Sequence, residues 1–231
     1  RRSIFQAHEV HQTDGSMWFD VDRWIMLELE LDIVVIVGDL VDCRMVDCGE
    51  AIASLASIRA PSFFVTGNHE YMTQDVPALL DRLRALGIKT LRNEHVTIRD
   101  ANGPAFVLAG VDDWTASKYT LEGNHKADVE AALRGRPSGL PVVLLAHQPK
   151  HIHDASYHSV DLMLSGHTHS GQIFPLQALV WLMSPYLAGF YQHSNTTAIY
   201  VSRGTGFWGP PMRLLAPAEI TILHLHPQKD V

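Results

Sequence analysis

Leu164-Ser165-Gly166-His167-Thr168-His169-Ser170-Gly171 sets two imidazoles two residues apart at the end of an apolar run and brackets them with glycines. Three other apolar runs end in the same manner, in Gly38-Asp39, in Thr66-Gly67-Asn68-His69-Glu70 and in His147. Pooled, Asp39, Asn68, His69, His147, His167 and His169 offer one carboxylate, one amide carbonyl and several imidazoles, with no thiolate. Imidazole suits Zn, Fe, Mn, Ni or Cu, and the oxygen donors tilt the set towards Mn and Fe. The set exceeds the needs of one tetrahedral catalytic ion, which keeps about three protein ligands and an open position. Two ions sharing Asp39 fit better, and ions about 3.5–4 Å apart clamp both oxygens of an in-line phosphoryl displacement. Each residue alone has an ordinary reading: Asp39 or Asn68 as a turn residue, a histidine as surface or core. His151, His153, His158, His193, His224 and His226 keep that reading. The same pattern after four runs argues against it for the pooled set.

The elements that must carry these side chains follow from the apolar pattern. Ile33–Val37, Ser62–Val65, Phe106–Ala109, Val142–Ala146 and Val160–Leu164 are short apolar runs bounded by Gly, Asn or Pro. Such runs are strands covered on both faces. Between them, Ser16–Leu31, Cys48–Ile58, Asp75–Leu86 and Glu122–Leu133 have helical spacing, and Asp75, Pro77 and Gly87 sit where a cap, an early proline and a terminator belong. Strand alternating with helix predicts an α/β layered fold. Thr197–Ser202 and Glu219–Leu225 read as strands with no helix between, which predicts an antiparallel edge. In α/β sheets, sites form beyond the carboxyl ends of the strands, so all six candidates are expected in one crevice.

The totals bound the function. At 231 residues, 46% hydrophobic and 19% charged, the chain is expected to fold as one domain over residues 1–231. A net charge of −7 disfavours nucleic acid as a partner, because phosphate-backbone binding needs a basic face. Cys43 and Cys48 make no zinc knuckle or disulfide framework; two ordinary thiols in a reducing compartment are expected. The chain begins Arg1-Arg2-Ser3 with no signal peptide, and any anchor would lie upstream of Arg1.

Gly38-Asp39, Gly67-Asn68-His69-Glu70, His147 and Gly166-His167-Thr168-His169, in that order and strand context, resemble the signature of the calcineurin-like metallophosphoesterases. Ser165–Pro175 and Tyr200–Leu214 are similar to the YkuE/YaeI-type branch, which includes the transmembrane protein with metallophosphoesterase domain. The resemblance implies a four-layer α/β/β/α sandwich with a dinuclear metal site at the C-terminal ends of strands. It implies two divalent ions (Mn, Fe, Zn or Ni), with Asp39 bridging them. Asn68, His147 and His167 would complete one shell, while His169 and the first motif would serve the other. His69 would not ligate; it would assist the leaving group as a metal-bound hydroxide attacks phosphorus. Glu70 would either orient His69 or cap the following segment. A location in the cytoplasm or on a membrane, with an anchor before Arg1 in the full-length protein, is also implied.

The first motif departs from the family: in His8-Glu9-Val10-His11, His11 falls where expected but Glu9 stands for Asp, and Asp14 nearby reads as a turn residue or, alternatively, as a substitute ligand. The alternative function is therefore a weakened scaffold that acts as a binding module. A phosphodiester or diphosphate is the expected substrate class. The uncharged stretch 173–191 reads either as a core helix or hairpin or as an apolar lip for a membrane or a lipid-linked substrate. Arg203 and Arg213 are candidates for holding substrate phosphate, with carboxylate pairing the alternative, and Trp114 and Phe207-Trp208 could add aromatic surface at the mouth.

Overall fold

The computed structural model describes residues 2–7, 31–99, 105–119 and 125–226. Its strands are β1 (Arg2–Ala7), β2 (Ile33–Val37), β3 (Ser62–Val65), β4 (Ile88–Thr90), β5 (Glu94–Arg99), β6 (Ala105–Gly110), β7 (Val142–Leu145), β8 (Leu162–Ser165), β9 (Gly189–Gln192), β10 (Ala198–Val201) and β11 (Thr221–Leu225). They form two sheets, in the order β11-β1-β2-β3-β4 and β5-β6-β7-β8-β10-β9. The described helices are α1 (Met45–Cys48), α2 (Asn68–Met72), α3 (Val76–Ala85), α4 (Val129–Leu133), α5 (Ile152–Tyr157) and α6 (Gln177–Met183), with a 3-10 helix over Ala51–Ser57.

The layering follows from the two-residue period of a strand, which sends alternate side chains to opposite faces. Ile33, Val35 and Val37 of β2 and Phe63 and Val65 of β3 join Leu108, Val143 and Leu145 of the other sheet in one buried cluster. Val34, Ile36 and Phe64, in the alternate register, pack on Ile52, Leu79 and Leu83. On the far side, Val107, Leu144 and Met163 pack on Ala132, Leu133 and Ile152. These three clusters make a helix-sheet-sheet-helix sandwich, the fold expected. Strands buried on both faces explain the unbroken apolar runs.

Several details differ from expectation. The last two strands do not share an edge. β10 runs parallel to β8 with β9 antiparallel outside it, and β11 closes the other sheet antiparallel to β1. Strands β4, β5 and β9 escaped the sequence pattern because they are short or half-covered, so apolar runs do not form. The helix expected over Cys48–Ile58 is instead α1 and the 3-10 turn. Asp75 sits at the α3 N-cap position, but its Oδ2 accepts from the Met45 amide at 2.7 Å rather than capping its own helix. Cys43 and Cys48 are joined as a disulfide, which corrects the expectation of two thiols. Most of the helix expected over Ser16–Leu31 and the start of Glu122–Leu133 lie outside the described residues.

Candidate metal centre at the strand ends

β2 and β3 of one sheet and β7 and β8 of the other all point their carboxyl ends at one crevice. Asp39 leaves β2 through Gly38, Asn68 leaves β3 through Gly67, and His147 and His167 follow β7 and β8. The chain must turn sharply here, and it does so in strained conformations. Asp39, His167 and His169 all have positive φ, at 54°, 71° and 50°, which costs non-glycine residues of order 1–3 kcal/mol each. Gly67 is demanded by proximity: a Cβ there would lie 2.1 Å from Asp39 Oδ1.

One donor atom from each of Asp39, His147 and His167 lies within 4.8 Å of the others. His147 Nδ1 donates to the Val37 carbonyl at 2.8 Å, which fixes the tautomer and turns an Nε2 lone pair into the crevice. That lone pair faces Asp39 Oδ2 at 2.9 Å, Asn68 Oδ1 at 3.2 Å and His167 Nδ1 at 3.2 Å. Acceptor atoms gathered so closely need a cation at their centre, either a proton or a metal ion. His147 records this demand. Burial would lower its pKa, but the Asp39 carboxylate overrides burial and carries it up to about 10. Burial and the neighbouring His147 hold His167 down at about 4, so its ring stays neutral and able to ligate. The donor chemistry therefore fits a divalent metal ion.

Glu70 is fully buried and braces this arrangement from behind. Its Oε2 accepts from the amides of Gly67 at 2.6 Å and Asp39 at 2.9 Å, and its Oε1 from Leu40 and Val41. Of the two expectations for Glu70, backbone capping is what the carboxylate does. Burial and the Asp39 charge push its pKa up to about 7, against amide donors that favour the ionised form. The residue at the His69 ring is Asp42, whose Oδ1 contacts Nδ1. The sequence reading missed it, although its place three residues after Asp39, in the same turn, was a usable signal. The His69 amide donates to Asp39 Oδ1 at 2.9 Å, and its Nε2 lies 3.9 Å from Asp39 Oδ2.

His169 is buried beside the crevice, and its Nδ1 lies 3.1 Å from Arg213 Nη2. Arg213 also donates to the carbonyls of Gly206, Ala216 and Arg203, and Arg203 pairs with Glu219 at 3.5 Å. Of the two readings for these arginines, Arg203 shows the carboxylate pairing, while the Arg213 guanidinium is held by loop carbonyls beside His169. Glu9, His11 and Asp14 lie outside the described residues.

A cavity of about 520 Å³ opens over Asp39, Asn68, His69, His167 and His169. Its remaining wall is mainly apolar, including Met72, Ile173, Leu176, Val180, Met183 and Trp208. Trp208 thus stands at the mouth, while Trp114 packs edge-on against His151 at 5.1 Å. α6 buries none of its residues, so no core helix forms over 177–183 and that part is an exposed apolar segment, whereas the end of the stretch enters the β9–β10 hairpin with Tyr186 and Tyr191 against the core. Among the described residues, no helix is long and apolar enough to cross a membrane.

Comparison with known proteins agrees with this geometry. A family profile described as calcineurin-like phosphoesterase matches residues 11–171. The chain is 44% identical over 204 residues to an uncharacterized metallophosphoesterase of Helicobacter pylori, covering 87% of this chain and 53% of that protein. It is 44% identical over 222 residues to the transmembrane protein with metallophosphoesterase domain of Bos taurus, covering 92% and 50%. Against YkuE of Bacillus subtilis the figures are 30% over 233 residues, 96% and 78%. The chain spans about half the length of the first two of these relatives. Solved structures share the fold at low identity. GAP50, the anchor in the inner membrane complex of Plasmodium, superposes with TM-score 0.57 at 14% identity, covering 96% of this chain and 78% of that one. A 5'-nucleotidase precursor of Thermus thermophilus does so with 0.52 at 13%, covering 88% and 49%. With the crevice, the sandwich and these matches in agreement, the chain belongs to the calcineurin-like phosphoesterase family.

Proposed function

We propose that this chain is a metal-dependent phosphoester hydrolase whose substrate carries an apolar group beside the scissile phosphate, as a lipid-linked phosphodiester or diphosphate does. One observation carries the reading: lone pairs from Asp39, Asn68, His147 and His167 converge at the floor of a cavity whose wall is apolar. Asp39, Asn68, His147 and His167 would hold one ion, and Asp39 with His169, His11 and Glu9 a second. Divalent ions bound there supply Lewis acidity towards phosphate oxygens and lower the pKa of water. The protein's own residues do the rest. Asp42 holds Nδ1 of His69, leaving Nε2 to carry a proton to the departing oxygen. Glu70 keeps the Asp39 turn in its strained conformation, and the apolar wall excludes water. Cys43 and Cys48 are paired and offer no free thiol as a nucleophile.

Exposed apolar residues on α6 suit contact with a membrane, as a lipid substrate requires. The test is elemental analysis of purified protein together with turnover of a chromogenic phosphodiester and of a lipid-linked diphosphate. Bound divalent metal, turnover lost on chelation, and preference for the apolar substrate are expected. Full activity in Asp39→Asn, or turnover indifferent to chelator, overturns the proposal; a metal-free, inactive wild type assigns the binding-module role instead.

A further inference from the structure

The side of α6 turned away from the cavity and the 207–215 turn form one exposed apolar surface, which extends and specifies the membrane contact proposed above for α6. Leu182 is 74% exposed, Leu215 73% and Trp181 55%, and none of the three lines the cavity. Single exposed leucines are ordinary, but a contiguous set marks an interaction site. The set is contiguous because hydrogen bonds stitch its two segments together. The Phe174 amide donates to the Leu214 carbonyl at 3.0 Å, the Leu214 amide to Gln172 at 2.9 Å, and Gln177 Nε2 to Leu215 at 3.1 Å. The Gln172 side chain bonds both the amide and the carbonyl of Trp208, at 2.8 and 2.7 Å. Water-exposed apolar groups held this firmly in place are a built surface.

We propose that this surface docks on a lipid bilayer, lying in its interface with Trp181 and Leu182 inserted and the cavity mouth alongside. Two observations select a bilayer over a protein. The stretch 173–191 has no charged residue to set a docking register. The same helix that bears the exposed leucines lines the cavity over Asp39, so a protein cap would crowd the mouth that a bilayer supplies. At seven residues, roughly 10 Å long, α6 can lie in the interface but cannot cross. Lys150, at the cavity edge, suits an anionic phosphate headgroup. The proposal gains its purpose from the hydrolase reading above, but docking itself needs no turnover.

The experiment is flotation of the metal-loaded chain with phosphatidylcholine–phosphatidylglycerol vesicles, comparing wild type, Asp39→Asn and the double variant Leu182→Glu/Leu215→Glu. Wild type and Asp39→Asn should float equally, and the double variant should lose about tenfold or more of its bound fraction. The double variant should also keep its turnover of a soluble phosphodiester, which shows that it is folded. Equal flotation of all three, or no flotation of wild type, overturns docking. A wild-type dimer that the double variant abolishes, without flotation, assigns the surface to self-association and also overturns it. Flotation of a wild type that hydrolyses nothing sinks the hydrolase reading and leaves docking standing.

Discussion

At the floor of the cavity Asp39 is 2% exposed and its turn is held by three amide contacts to Glu70, with a fourth from Gly67, while on the cavity wall α6 contributes no buried residue. The floor is polar, strained and locked from behind; the wall is apolar, and its outer side faces water. Burial makes the difference. A buried polar group must have its partners, so each floor residue constrains the next, whereas an exposed apolar side chain constrains nothing inside the fold. Floor changes should therefore damage fold and chemistry together, and changes on the outer side of the wall should leave both intact.

The contrast is open to breakage at graded strength. The largest expected effect is Glu70→Ala, which strips the partner from a cluster of buried amides. It should cost roughly 3 kcal/mol or more and abolish metal binding, read by thermal unfolding and elemental analysis. Unchanged Tm and metal content would show that the floor is not locked through Glu70. Next, Asp42→Asn removes the charge beside His69 but no predicted ligand; kcat should fall about ten- to hundredfold with metal content unchanged. Equal loss of metal would mean that Asp42 supports the ion and not the proton.

Acidity should separate the regions further. The metal-free site holds a proton on His147, whose folded pKa the Asp39 carboxylate lifts from the ordinary 6.5 to about 10. Metal loading must displace that proton, so affinity should rise by up to about tenfold per pH unit across this window, measured by competition with a chelator. For the metal-free protein the sign reverses. A folded pKa above the unfolded one stabilises the fold fully below about 6.5, and that stability is lost as pH rises towards 10. A pH-independent affinity would place the ion away from His147. The smallest effect belongs to Leu182→Ser, on the outer side of α6, which should change stability by no more than about 0.5 kcal/mol. A larger loss in the melting curve would mean that the wall is part of the core after all.

Asp39, Asn68, His147 and His167 were legible in the sequence because each directly follows a strand buried on both faces, and such strands leave unbroken apolar runs. The same periodicity carried the α/β layering, while the four-layer sandwich followed from the family resemblance. Asp42 was less visible, since a carboxylate in a polar loop has no pattern until the loop folds over His69. The carbonyl partners of Arg213 were not legible, although Arg203, Gly206 and Ala216 are close in sequence, because irregular loops leave no periodic pattern to read. Cys43 and Cys48 were assigned as thiols because pairing depends on how the 43–48 turn brings them together.

By itself the sequence determined the residue types at the strand ends and the order in which they arrive, because covalent order and side-chain period are local properties. Only the tertiary structure decided which oxygen meets which nitrogen. It spent Glu70 on amides and Arg213 on carbonyls, and it left α6 facing water. Those outcomes rest on competition for buried hydrogen-bond partners and for core volume, and that competition exists only once distant segments have packed together.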